Sequence, residues 1–138
     1  MLRGRFEVTT EGERITLPDI LSSQIHDVWG YQGVLLLFCP IDNGAYEVTL
    51  HTTMPKRINS SCVIRQIDAR GRIVLPKSLT NRSQEESSGT VVLVGLLDRF
   101  QIWIPWRLAE AERKYEEEFP GEMAKFDAII AELDNEAK

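Results

Sequence analysis

Short apolar runs broken by turn residues dominate the first 105 positions, and helical spacing replaces them afterwards. Residues 4–9 and 14–17 read as two strands joined by Thr10-Glu11-Gly12-Glu13, where Gly12 can take a positive φ freely. Pro18 ends the second strand and opens a short helical turn, with Asp19 well placed for its N-terminus. Residues 22–33 read as a polar connection with Trp29 and Tyr31 packed onto a sheet, and the continuous run 34–38 as a buried strand. Asp42-Asn43-Gly44 predicts a hairpin turn into a strand over 45–50. After the polar stretch 52–61 come strands at 63–68 and 72–75 about a turn at 69–71, then Pro76 and a helical turn ending near Asn81. Residues 82–89 read as loop. Strands at 90–95 and 100–104 meet at Leu97-Asp98-Arg99, the second alternating Phe100, Ile102 and Ile104 with Gln101 and Trp103.

The tail differs in kind. Residues 106–119 are rich in helix formers, with Leu108, Ala111 or Glu112, Tyr115 and Phe119 on one face. Pro120-Gly121 breaks this helix, and a second runs from about Glu122 to Glu136. Its seam of Met123, Phe126, Ile130 and Leu133 is narrow and coiled-coil-like, fitting either a helix that caps its own β-core or one that meets a helical partner.

Two segments echo each other. With Pro76 set over Pro18, Arg72-Ile73-x-Leu75-Pro76 matches Arg14-Ile15-x-Leu17-Pro18. Further on, Gly89-Thr90-Val91-Val92-Leu93 lies over Gly33-Val34-Leu35-Leu36-Leu37, and Asp98 over Asp42. Two copies of one β-unit follow from this repeat: residues 1–50 and 62–105, with a linker over 51–61 and a helical tail over 106–138. The predicted class is mainly β with C-terminal α-helices.

Charge sharpens the picture. The formal net charge of −5 resides in residues 106–138, which hold five basic and ten acidic side chains; the remainder is balanced at eleven of each. Within that balanced part, the window Lys56 to Arg82 holds Lys56, Arg57, Arg65, Arg70, Arg72, Lys77 and Arg82 with one acid, Asp68. This local excess is a candidate anion-binding surface, or else a solvated face. No apolar run is long enough to cross a bilayer, and the N-terminus lacks a signal-peptide core, so a cytoplasmic location is expected. Cys39 and Cys62 fit no metal pattern and are expected to be reduced, with Cys39 buried in its strand.

Catalysis finds little support. His26 and His51 stand isolated in polar segments and read as exposed loop residues; no phosphate loop or nucleophile motif is present, and no cofactor or metal is implied. An enzyme is therefore the least favoured class, and no catalytic residue is assigned. The informative constellation is Asp68-Ala69-Arg70-Gly71-Arg72, where Asp68 and Arg72 face each other across a three-residue turn. That pair either closes the hairpin and nothing more, or holds the Arg72 guanidinium in one pose while Arg70 projects from the turn. A rigid guanidinium fork suits phosphate oxygens or a guanine edge.

The run Asp68 to Pro76, the stretches 92–96 and 100–103, and the looser matches Gly4-x-Phe6, 14–18 and 35–40 resemble the MraZ family of bacterial transcriptional regulators. These are built from two SpoVT/AbrB-type units in one chain. The resemblance implies a pseudo-twofold swapped-hairpin β-barrel from tandem repeats and ring-like homo-oligomers associated with the nucleoid. Their hairpin arginines would contact tandem repeats of double-stranded promoter DNA upstream of division and cell-wall genes. By position, Asp68 and Arg72 match the family's hairpin pair, Arg70 its basic turn residue and Arg14 the arginine of the first hairpin; Arg3 and Arg5 are further candidates for the duplex. The chain departs from that pattern at Thr10, where an acid is expected, and at Glu11 and Glu13, which flank Gly12. The linker is also short for the helix usual there. A second reading is an AbrB-fold interaction module that binds a protein partner through its acidic tail. No small-molecule substrate is expected under either reading.

Overall fold

The computed structural model describes residues 2–30, 33–80 and 89–136, without the side chains of Met123, Phe126, Ile130 and 133–136. Two compact units divide the chain, residues 1–105 and 106–138.

The first unit is built on eight strands: β1 (Leu2–Thr9), β2 (Arg14–Thr16), β3 (Leu35–Pro40), β4 (Tyr46–His51), β5 (Val63–Gln66), β6 (Arg72–Val74), β7 (Thr90–Leu97) and β8 (Arg99–Trp103). Helices α1 (Asp19–Trp29) and α2 (Lys77–Thr80) follow the two short strands β2 and β6. Six strands form one open antiparallel sheet in the order β1-β7-β8-β4-β3-β5, and β2 pairs with β6 in a separate ribbon. Among the described residues this pairing does not close into a barrel, and β1 and β5 are the sheet's edges.

The strand order is a palindrome of the repeat. Tight turns join β3 to β4 and β7 to β8, and the two resulting hairpins meet at β4–β8. The leading strand of each half is exchanged: β1 lies on β7, and β5 lies on β3. Equivalent positions meet equivalent partners, Phe6 opposite Leu93 and Ile64 opposite Leu37. In the ribbon, Ile15 faces Ile73, its own counterpart. The ribbon ends repeat the relation, because Leu17 N–H donates to the Gly71 carbonyl at 2.9 Å and Leu75 N–H to that of Glu13 at 2.7 Å.

The core gathers the apolar residues of both halves, including Ile15, Leu17, Leu21, Ile25, Leu36, Phe38, Ile73, Leu75, Leu93, Phe100 and Ile102. Close backbone approach is needed at one place. Gly4 faces Gly95 across β1–β7. A Cβ on Gly95 would lie 2.7 Å from Arg3 N and 2.8 Å from Arg3 Cα, and the Phe6 ring covers Gly4 instead of a side chain of its own.

Several sequence expectations need correction. The helical turn expected after Pro18 runs on through the stretch from Ser22 read as a polar connection, as the eleven-residue helix α1. Leu21 and Ile25, one turn apart, are both fully buried, and Trp29 continues the stripe against the core. Gly30, at φ 73°, ends it. Tyr31, Asn81 and the loop over 82–88 lie outside the described residues. Neither histidine is a loop residue: His26 is exposed in the last turn of α1, and half-buried His51 ends β4 with a ring nitrogen 2.8 Å from Thr49 Oγ1. The cysteines are not reduced thiols: Cys39 and Cys62 form a disulfide, with Cα atoms 4.3 Å apart and both residues half-buried. Sequence alone does not place them together because their contact depends on the exchanged β3–β5 pairing. At Asp42-Asn43-Gly44 the chain makes a 3-10 turn, with Asn43 at φ 67°.

The second unit carries α3 (Pro105–Glu118) and α4 (Glu122–Glu136), separated by Pro120-Gly121. The α4 seam residues have side chains outside the described set. On α3 and just beyond it, the exposed rings of Tyr115 and Phe119 pack at a centroid distance of 4.9 Å. Among the described residues no helix is long and apolar enough to cross a membrane.

Candidate nucleic-acid interface

The β5–β6 turn is a three-residue loop closed by backbone bonds, with Asp68 N–H donating to Arg72 O and Gly71 N–H to Asp68 O, both at 3.0 Å. Gly71, at φ 76°, supplies the left-handed residue that such a loop requires. One carboxylate organises the whole turn. Asp68 Oδ1 accepts the amides of Arg70 and Arg72, each at 2.9 Å, and Oδ2 accepts Arg72 Nε at 2.8 Å. The Arg72 amide above all holds the Asp68 carboxyl below its ordinary pKa; the Arg70 amide and the Arg72 guanidinium add to this, and partial desolvation opposes it. The carboxylate thus stays ionised through the neutral range and fixes both backbone and guanidinium.

Arg72 is half-buried and Arg70 exposed at the tip. Among the described residues the Arg70 side chain has no acceptor, and Arg72 commits only Nε, to Asp68. Arg65 braces the same hairpin, donating from Nε to Val74 O and from Nη1 to Ile64 O, each at 3.1 Å. Arg65 belongs to the basic cluster in the sequence, but its bracing role depends on side-chain reach and has no sequence signal.

The ribbon brings a second arginine to the site. Ile15 and Ile73 point into the core, so Arg14, Thr16, Arg72 and Val74 share the opposite, outer face. Arg14 lies opposite Val74, one diagonal step from Arg72, a separation of roughly 7–8 Å between their Cα atoms. The outer face therefore carries one arginine from each half.

The first turn is built differently. Glu11 and Arg14 exchange backbone bonds at 2.8 and 3.1 Å, leaving only Gly12 and Glu13 between them, one residue fewer than in the second turn. Gly12, at φ 63°, makes that tightness possible. Thr10, at the position equivalent to Asp68, turns away from Arg14: its N–H and Oγ1 both donate to Gly89 O, at 2.7 and 3.0 Å. Arg14 accordingly lacks a carboxylate anchor among the described residues. Glu11 and Glu13 are exposed beside it, and Glu13 shares a shallow open cleft with Gly12, Lys77 and Thr80.

Arg3 and Arg5 stand back along β1 from the first turn. They lie in β1 opposite Leu96 and Val94, and Arg3 precedes Glu11 by roughly 27 Å of extended chain at about 3.4 Å per residue. The Arg3 amide donates to Gln24 Oε1 of α1 at 3.0 Å, so the helix covers the β1 edge there. Among the described residues no cluster of His, Cys, Asp and Glu could hold a metal. The site offers positive charge and hydrogen-bond donors suited to anions.

No family model matches the chain. It is similar to the transcriptional regulator MraZ of Mannheimia succiniciproducens. The two are 39% identical over 66 residues, which make up 46% of this chain and 41% of that protein. The match thus spans about two-fifths of that relative's length.

Proposed function

We propose that the protein is a sequence-specific, double-stranded DNA-binding transcriptional regulator of the MraZ type and not an enzyme. The observation that carries this reading is the Asp68-anchored turn, which presents Arg70 and Arg72 as a preordered cationic pair. The similarity to a curated regulator supports it. Under this reading the exchanged strands and the β2–β6 ribbon are the intramolecular form of a SpoVT/AbrB-like swapped-hairpin barrel, with residues 1–50 and 62–105 as its two repeats. Arg72 and Arg14 contact phosphates from the ribbon's outer face, and Arg70 reaches a base edge. Arg3 and Arg5 are accessory phosphate contacts at most, given their distance from the first turn. A homo-oligomer of ring type would engage promoter repeats, and weak single-hairpin contacts would gain by avidity. The protein would act in the cytoplasm at the nucleoid, on division and cell-wall genes.

The test is fluorescence anisotropy on labelled DNA from upstream of the protein's own operon, with scrambled DNA as control and salt varied. Selective binding is expected, with log K falling linearly with log salt and a slope reduced by about 0.9 for each phosphate contact removed. Arg70→Ala combined with Arg72→Ala should weaken binding by about 100-fold or more. Equal affinity for operon and scrambled DNA, or an unaffected double variant, refutes the reading.

A second reading rests on the end of α3, where Tyr115 and Phe119 stay exposed as a tilted pair of rings beside Glu116, Glu117 and Glu118. Such a surface suits a protein partner with apolar and basic groups. Tyr115→Ala with Phe119→Ala would abolish that complex and leave DNA binding intact.

A further inference from the structure

We propose that Cys39 and Cys62 form a thiol–disulfide clamp that sets the order of the arginine hairpin. Cys39 directly follows the run of β3 that pairs with β5, which ends with Phe38 opposite Val63, and Cys62 directly precedes β5, so the two cysteines meet one step beyond the ladder. The bond therefore closes a cross-strand pair at the very point where the chain enters β5.

Three features make that point sensitive. First, β5 is a four-residue edge strand, paired in the sheet with β3 alone. Second, the chain reaches it from a stretch, 52–61, that is exposed almost throughout. A turn presets the approach, with Asn59 Oδ1 accepting the Ser61 amide and hydroxyl at 3.0 and 2.9 Å and Asn59 O accepting the Cys62 amide at 3.0 Å. Third, six residues after Cys62 comes Asp68, the anchor of Arg70 and Arg72. Without the bond, fraying of β5 from its entry end propagates along four ladder pairs to the base of the turn. With the bond, that end cannot open. Because both cysteines are half-buried and not sealed in the core, a small disulfide can reach them.

The chemistry is exchange with a glutathione-type disulfide. The thiolate of one cysteine attacks a sulfur of the small disulfide, forming a mixed disulfide and releasing one small thiol. The second cysteine's thiolate then attacks the protein sulfur of that mixed disulfide, joining Cys39 to Cys62 and releasing the second small thiol. The protein loses two electrons and the small disulfide gains them; the two cysteine protons end on the two released thiols. Under the function proposed above, on which this link alone rests, the clamped hairpin is the higher-affinity form because less freedom is lost on binding.

The full-length protein would be equilibrated in glutathione buffers of graded redox ratio, alongside Cys39→Ser/Cys62→Ser. Free thiols, amide exchange of residues 63–72 and DNA anisotropy would be read on the same samples. The expected result is joint loss of both thiols as a two-electron transition, with exchange over 63–66 slowed about tenfold or more. DNA affinity should rise about 3–10-fold on oxidation, and the double serine variant should respond to neither buffer. Thiols that remain free at every ratio overturn the clamp. So do bonds formed only between chains, a bond that forms with hairpin exchange unchanged, or one that leaves DNA affinity unchanged in a protein that binds DNA. If exchange responds as expected and no DNA is bound in either state, the clamp stands and the regulator reading falls.

Discussion

Gly95→Ala reverses a usual rule. Gly95 lies in β7 without a positive φ, a setting in which alanine ordinarily stabilises by about 0.5–1 kcal/mol through reduced chain entropy. Here the new methyl carbon would sit 2.7–2.8 Å from Arg3 N, Arg3 Cα and Leu2 C, all of them backbone atoms. Ordinary carbon contacts are about 3.5–4.0 Å, so β1 must retreat by roughly 1 Å. Overpacking of that kind costs about 1–3 kcal/mol, and one or two stretched ladder bonds beside Gly4 add about 1 kcal/mol each. After the entropy gain is subtracted, the variant should be about 1–4 kcal/mol less stable, a fall in Tm of roughly 4–14 °C for a chain of this size. Urea and thermal unfolding followed by tryptophan fluorescence measure it. A midpoint equal to or above wild type would show that β1 does not press on β7 as described, and the reasoning would fail.

Other expectations follow from the two turns and the ribbon. The Asp68 carboxyl should titrate below its ordinary value of 3.8, so its stabilisation is complete above that value and is lost as pH falls through the depressed folded-state pKa. Carboxyl carbon NMR would read this, and Arg72→Ala should raise the midpoint only part of the way, because the Arg72 amide is the largest cause and survives the substitution. An unshifted wild-type midpoint would contradict the anchor. Ile73→Ala, at a fully buried position facing Ile15, should cost about 3–4 kcal/mol in urea unfolding, and Ile15→Ala about the same. Under the proposed function, Glu11→Gln with Glu13→Gln should tighten DNA binding roughly 3–10-fold at low salt, an effect that shrinks as salt rises; no gain at low salt would mean that the first turn lies away from the duplex.

The repeat about Pro18 and Pro76 was the most legible feature, because a 58-residue offset that aligns Arg14 with Arg72 also aligns the residues that face each other at the ribbon's centre. The hairpin anchor was legible for a local reason: Asp68 and Arg72 are four residues apart, and turn geometry alone decides their contact. Helix α1 was hidden because exposed Ile20 and Val28 blur the inward stripe of Leu21, Ile25 and Trp29. The disulfide was hidden for the opposite reason, since its partners meet only through exchanged strands. The first turn shows the limit of analogy: Thr10 occupies the anchor position, but a hydroxyl bonded to Gly89 O cannot do what a carboxylate does.

The exchange of leading strands also fixes an order of assembly. β5 finds β3 already synthesised, and the unit β3–β4–β5 can close once residue 66 has been made. β1 has no such partner. It must wait for β7, more than 80 residues later, which at about 5–20 residues per second is a delay of roughly 4–16 s on the ribosome. During that interval Leu2, Phe6 and Val8 lack the strand that will cover them. The protein is therefore completed from its middle outwards, and its first strand is among the last to be placed. Stalled nascent chains from which residue 66 but not residue 90 has emerged should show protected amides in β3, β4 and β5 and open ones in residues 2–9.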